Sequence, residues 1–281
     1  MKTIQTSITI PIQQLAVKAG RMGHVGAFIL SLAISPVIAL ASSLGNLLAT
    51  ASVLAQTYQP PAGEPPSGPY ISNGSRTGCG EQFNVPLTAL VPRDHVGQTT
   101  STAPTLAWFV PTIKPYRIGL SIYQINEDGQ PEFLHQLEYV ETDESASTIA
   151  SLTVPEETIS LTPGQHYLWE VGLACQPESP LYDQSFVAEI AITSPSTPLT
   201  IALNRAQTPQ QQSTIYAGNG YWYDALQAAL QIADPHERAQ MLNTLFNDLA
   251  DLEEDLHRQR LLDISEILHH SQLPTSINEL Q

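Results

Sequence analysis

The densest run of chemistry-bearing side chains is Tyr221-Trp222-Tyr223-Asp224. Three consecutive rings and a carboxylate are the parts of a stacking platform for a sugar or a peptide, with Asp224 as hydrogen-bond acceptor. The same residues also open a helical pattern in which Trp222, Ala225 and Leu226 share a face. Packing of that face onto a core is therefore the plainer expectation for them. The eight histidines form no His-Glu-x-x-His, and the chain has neither a Gly-x-Ser-x-Gly elbow nor a glycine-rich phosphate loop. His269 and His270 are adjacent, so on a helix they point about 100° apart and suit a surface pair better than a metal site. His166 precedes Tyr167 at the start of a strand-like run and is expected to face solvent. Asp143-Glu144 and Glu156-Glu157 fall in expected loops, whereas a catalytic pair must converge across a cleft. Glu253-Glu254-Asp255 reads as a solvated helix face. No catalytic residue, metal site or cofactor is expected.

The elements that must position these residues change character along the chain. Seven short runs rich in β-branched and aromatic residues span about 85–194: Leu87–Val91, Thr105–Val110, Arg117–Ile125, Phe133–Val140, Ser147–Val154, His166–Cys175 and Phe186–Thr193. Asp128-Gly129 should close a hairpin between the third and fourth. In the sixth, Tyr167, Trp169, Val171 and Leu173 alternate as the apolar face. Trp108 and Trp169 are expected in the core. This spacing predicts a mainly β fold, an immunoglobulin- or fibronectin-III-like sandwich. Leu161-Thr162-Pro163-Gly164-Gln165-His166-Tyr167 resembles the turn before the sixth fibronectin type III strand, where the tyrosine hydroxyl bonds to upstream backbone.

Residues 195–281 read as a helical C-terminal region with an acidic tail. Helices are expected over Pro198–Gln207 and Tyr221–Ala233, and a third starts with Asp234 as N-cap, Pro235 at N1 and Glu237 at N3. Leu242, Leu245, Leu249, Leu252 and Leu256 form its apolar stripe, and helix is expected to continue through Arg260–Leu268, unbroken or as a broken pair.

Charge and the N-terminus bound the function. The 281 residues carry 27 acidic and 11 basic side chains, a net charge of -16, which excludes a general nucleic-acid binder and disfavours anionic lipid. Residues 1–55 hold no acid, and Lys2, Lys18 and Arg21 precede two apolar runs. This is the pattern of a signal peptide cut after Val53-Leu54-Ala55, or of an N-terminal anchor. Membrane contact is expected only through that segment, and the remainder should be periplasmic or secreted. Cys79 and Cys175, the two cysteines, are then expected to form a disulfide. Residues 56–84 form a Pro/Gly-rich leader, in which Asn73-Gly74-Ser75 fits a glycosylation sequon.

Several segments taken in order carry a resemblance. They are Gly74–Cys79, Leu87–Pro92, Pro104–Pro111, Leu161–Trp169, Cys175-Gln176-Pro177 and Tyr216–Leu226. Together they resemble the cyanobacterial domain of unknown function 928 family over about residues 63–245. The chain departs from that pattern at Ala107, where the family has an aromatic before Trp108, and in its longer acidic tail. The resemblance implies an exported protein with both cysteines at family positions, and no activity. The chain is accordingly read as an exported, non-catalytic envelope interaction module, with a protein partner or a cell-surface glycan as its target. A carbohydrate-binding module and a hydrolase without a recognisable motif are the alternatives.

Overall fold

The computed structural model describes residues 58–62, 65–66, 84–111, 116–141, 149–270 and 278–279. The N-terminal segment 1–55, most of the leader, the sequon, Asp143-Glu144 and Cys79 lie outside the described residues. Everything described falls within one compact unit, Ser52–Gln281.

All seven expected runs are strands. They are β1 (Thr88–Ala89), β3 (Thr105–Phe109), β4 (Tyr116–Ile125), β5 (Pro131–Glu141), β6 (Ile149–Thr153), β7 (His166–Ala174) and β8 (Gln184–Ile192). Two short strands are additional: β2 (Gly97–Thr99) and β9 (Asn278–Glu279). β1 is shorter than its run because Pro86 and Pro92 bracket it and donate no N–H to a ladder. The strands form a five-stranded sheet, β2-β8-β7-β4-β5, and a four-stranded sheet, β1-β3-β6-β9. The β4–β5 hairpin closes through Asn126–Gln130, with Gly129 at φ 74°. Asn126 Oδ1 accepts the N–H groups of Asp128 and Gln130 there.

Two sheets with helices C-terminal to them is the expected coarse fold. The finer immunoglobulin or fibronectin-III form is not established. β2 pairs with β8 and β6 with β9 in parallel, whereas that form is built from antiparallel sheets. The tyrosine-corner bond is present nonetheless: Thr162 N–H donates to the Tyr167 hydroxyl at 2.9 Å, and Gly164 takes φ 85° in the turn.

Five helices follow: α1 (Thr197–Leu203), α2 (Pro209–Ala217), α3 (Trp222–Leu230), α4 (Pro235–Ala250) and α5 (Asp255–His270). Asp234 caps α4 as expected, its Oδ1 accepting from Glu237 N–H at 2.9 Å. The helices share the core of the sheets. Trp222, Tyr223 and Leu226 of α3, Phe246 and Leu249 of α4, and Leu261 and Ile264 of α5 pack in one cluster with Trp108, Trp169 and Phe186. The leucine stripe ends where helix does. Leu242, Leu245 and Leu249 are buried, but the chain leaves helical geometry between α4 and α5, and Leu256 is 61% exposed. The same break turns Glu253 inward, where it is only 4% exposed rather than part of a solvated face.

Candidate functional site

The four residues singled out as a platform are buried. Trp222 is fully enclosed, its indole N–H donating to the Leu90 carbonyl at 2.8 Å and its ring meeting Tyr58 edge-on at 5.0 Å. The Tyr223 hydroxyl accepts from the Trp169 indole at 3.0 Å and donates to the Glu189 carbonyl at 3.2 Å. Asp224 accepts from the Thr100 N–H and hydroxyl, both at 2.9 Å, and burial raises its carboxyl above the usual range. Tyr221 is buried too. A stacking platform needs solvent-facing rings, so these residues anchor α3 to the sheets and offer no surface to a ligand.

Alternation leaves a different surface open. The apolar residues of β4, β7 and β8 face the core, so their neighbours line the outer face of the five-stranded sheet. The register sets these in rows. Gly119, Gly172 and Ser185 form one row, Ser121, Glu170 and Val187 the next, and Tyr123, Leu168 and Glu189 a third. His166 pairs with Ala191, and Ala191 with Gln98, in a fourth row to which Ile125 belongs as the residue after the Gln124–Tyr167 pair.

The two ends of this face are covered differently. At one end Tyr182 lies across Gly119 and Gly172, where any side chain would collide with its ring. Arg117 sits over the same ring at 4.7 Å and bridges to Glu138 at 2.9 Å. At the other end Pro61 and Pro65 of the leader wall a cleft of about 450 Å³. Its other lining residues include His95, Gln98, Ile125, His166, Glu189 and Thr193. The leader is fixed there. Tyr58 is buried, its N–H donates to Asp248 Oδ2 at 3.1 Å, and Gln59 N–H donates to the Ala217 carbonyl. Gly220 admits it, at φ 84°, since a Cβ would come within 3.0 Å of the Gln59 oxygen.

The two cleft imidazoles differ in state. His166, expected in solvent, is half-exposed, and its Nδ1 lies 2.7 Å from Oε1 of the buried Glu189. That hydrogen bond holds the imidazole above its ordinary pKa. His95 lies 2.8 Å from the Tyr58 hydroxyl, its ring stacked on the phenol, and burial pushes it down to about 4. Neither pairing is written in the local sequence, because the partners are 23 and 37 residues apart.

The loop that carries His95 is held from behind by the α4–α5 junction. Glu253 Oε1 accepts the N–H groups of Arg93 and Asp94, and Asp94 Oδ2 accepts Glu254 N–H in return. Burial pushes the Glu253 carboxyl up to about 7. His257 Nε2 donates to the Val91 carbonyl at 2.8 Å, and burial pushes that imidazole down to about 4.

Flanking this surface is β5, the outermost strand of the sheet. Ten of its eleven residues pair with β4, and among the described residues no strand occupies its second edge. Phe133, Leu134 and Val140 are 56%, 38% and 44% exposed. A register shift beside Tyr123 marks a bulge at Leu134. Phe133 meets Tyr123 edge-on at 5.8 Å on the outer face. Among the described residues no group of three or more His, Cys, Asp or Glu could hold a metal. No helix of the described residues is long and apolar enough to cross a membrane. Cys175 directly follows β7, and no described cysteine is free.

No curated protein matches the chain. A Bacteroides fragilis crystal structure carrying a provisional beta-galactosidase name aligns with 63% of this chain at 9% identity and a TM-score of 0.22, which does not indicate a shared fold. The aligned part spans 38% of that protein's length. A family model, by contrast, matches residues 71–259, from the leader through β1–β8 and α1–α4 into α5. Both the cleft histidines and the whole of β5 fall within the matched range, and the chain belongs to the domain of unknown function family DUF928.

Proposed function

We propose that the protein is an exported interaction module of the cell envelope that takes a protein partner along β5. The observation that carries this reading is an eleven-residue strand at the sheet's margin, with no strand on its second edge among the described residues and three exposed large apolar side chains. A partner strand can extend a sheet along such an edge through main-chain hydrogen bonds. Glu132 on the same strand, in a chain of net charge -16, selects the partner's chemistry. A second copy would bring acid against acid. An extended segment carrying Lys or Arg beside apolar residues complements the strand. Export rests on the acid-free N-terminal segment, and it makes a Cys79–Cys175 bridge the expected state of the two thiols.

The test is capture from the envelope fraction with the full chain as bait, beside V140K and the control L256K. One partner at near-equal stoichiometry, lost with V140K and kept with L256K, is the expected result. Equal capture by all three, or retention only on protein-free wall material, would overturn the reading.

A further inference from the structure

The cleft under the leader is separate from the strand edge, and its lining has a chemistry of its own. Its volume of about 450 Å³ lies within the roughly 300–1,000 Å³ of small-ligand sites. Four strands supply its floor in one row: Ile125, His166, Ala191 and Gln98. The leader prolines form a wall of fixed backbone.

The described lining offers little charge to a ligand. Its one carboxylate, Glu189, is buried and already bonded to His166. His95 shares its Nε2 with the Tyr58 hydroxyl. The remaining polar side chains are the Gln98 amide and the Thr193 hydroxyl, which donates to the Thr99 carbonyl at 3.4 Å, set among Pro61, Pro65, Val96, Ile125 and Ala191. Among the described residues the only charged groups of the lining, His166 and Glu189, are committed to each other, which disfavours a free ammonium, carboxylate or phosphate. The lining favours a neutral ligand with apolar C–H faces and several hydroxyls at its edges.

The ground beside the cleft extends the argument. Tyr123 lies two residues before Ile125 on the same face of β4, about 7 Å away by strand rise. Its neighbour Phe133 is exposed, so an aromatic surface continues outward from the cleft. A chain with one ring in the cleft would run on over the adjoining Tyr123 and Phe133. Aromatic faces and sugar C–H groups pair well in that arrangement.

We propose that this cleft and the adjoining Tyr123–Phe133 surface form a binding site for a neutral saccharide chain, one ring held by Gln98 and His166 and the next by Phe133. The site shares Phe133 with the partner strand on β5, whereas Gln98, His95 and His166 belong to the cleft alone, so Q98A and the histidine signals separate the two.

The experiment uses the purified full chain with histidine imidazoles labelled for NMR, together with calorimetry. The probes are neutral trimers of β-1,4-glucose, α-1,4-glucose and β-1,4-N-acetylglucosamine, an acidic uronic trimer, and a peptide of the leader sequence Gln-Pro-Pro-Ala-Gly-Glu-Pro-Pro. At least one neutral trimer is expected to shift the His95 and His166 signals saturably. Q98A and F133A should each weaken it about tenfold, equivalent to ~1.4 kcal/mol. F133A changes an exposed side chain, so its fold is expected to persist even if Q98A disturbs β2. No shift with any neutral trimer, binding indifferent to both variants, or shifts with the uronic trimer or the peptide alone would each overturn the proposal.

Discussion

The α3 start and the outer sheet face are opposites in construction. Tyr221-Trp222-Tyr223-Asp224 is contiguous in sequence, chemically dense and buried. The outer face is assembled from residues scattered over β2, β4, β5, β7 and β8, no two of which make a motif, and it is covered only in part, by Tyr182 at one end and the leader at the other. Aromatic density in this chain marks where a helix must be fastened. The exposed surface arises from the residues that alternation leaves behind once Trp169, Val171 and their neighbours have turned inward.

The sharpest way to break this contrast is W222A. Emptying an enclosed indole site and orphaning the Leu90 carbonyl should cost about 3–5 kcal/mol, read by denaturant unfolding. A loss below about 1 kcal/mol would mean that the cluster is not structural.

The next effect is on pH dependence. The Glu253 carboxyl rises from 4.5 to about 7 on folding, so its protonated form favours the folded state. Its contribution is full below pH 4.5 and is lost as pH climbs through 7. E253Q should remove that fall, on the order of 1–3 kcal/mol across the window, in unfolding curves measured against pH. His95 and His257, both pushed down to about 4, act in the other sense. Their contribution is full above pH 6.5 and is lost on acidification towards pH 4, so wild type and E253Q should share that lower limb.

D224A should cost about 1–3 kcal/mol, since the Thr100 N–H and hydroxyl lose their acceptor. The smallest stability effect belongs to the open surface. F133K and V140K should each stay within about 0.5 kcal/mol of wild type in thermal melts, while abolishing partner capture. A large loss of stability in either would move β5 from the open class to the structural one.

Much of the framework was legible. Seven strand runs, the Asp128-Gly129 hairpin, the Tyr167 corner and the Asp234 cap are local signals, and the structure contains them all. What was not legible depends on pairing at a distance. β2 is three residues long and is a strand because it meets β8 in parallel; Gly97-Gln98-Thr99 carries no apolar alternation. α2 has no apolar stripe to announce it, and it starts on Thr208 as a side-chain cap. Glu253 read as solvated because helical phase was carried past Ala250, where the helix ends. His166 is exposed as expected, but its bond to Glu189 was not legible because that partner comes from the neighbouring strand. The segment read as a Pro/Gly-rich leader, and its composition gave no sign that Tyr58 joins the core.

The most direct test of the open face is position-specific photo-crosslinking in native envelope. A photoreactive residue is placed at Phe133 or Val140 on β5, or at the exposed controls Ile201 on α1 and Leu256 on α5. The account predicts one discrete adduct from the two β5 positions and none of that mass from the controls. Adducts of the same mass from all four positions, or from the controls alone, would contradict it.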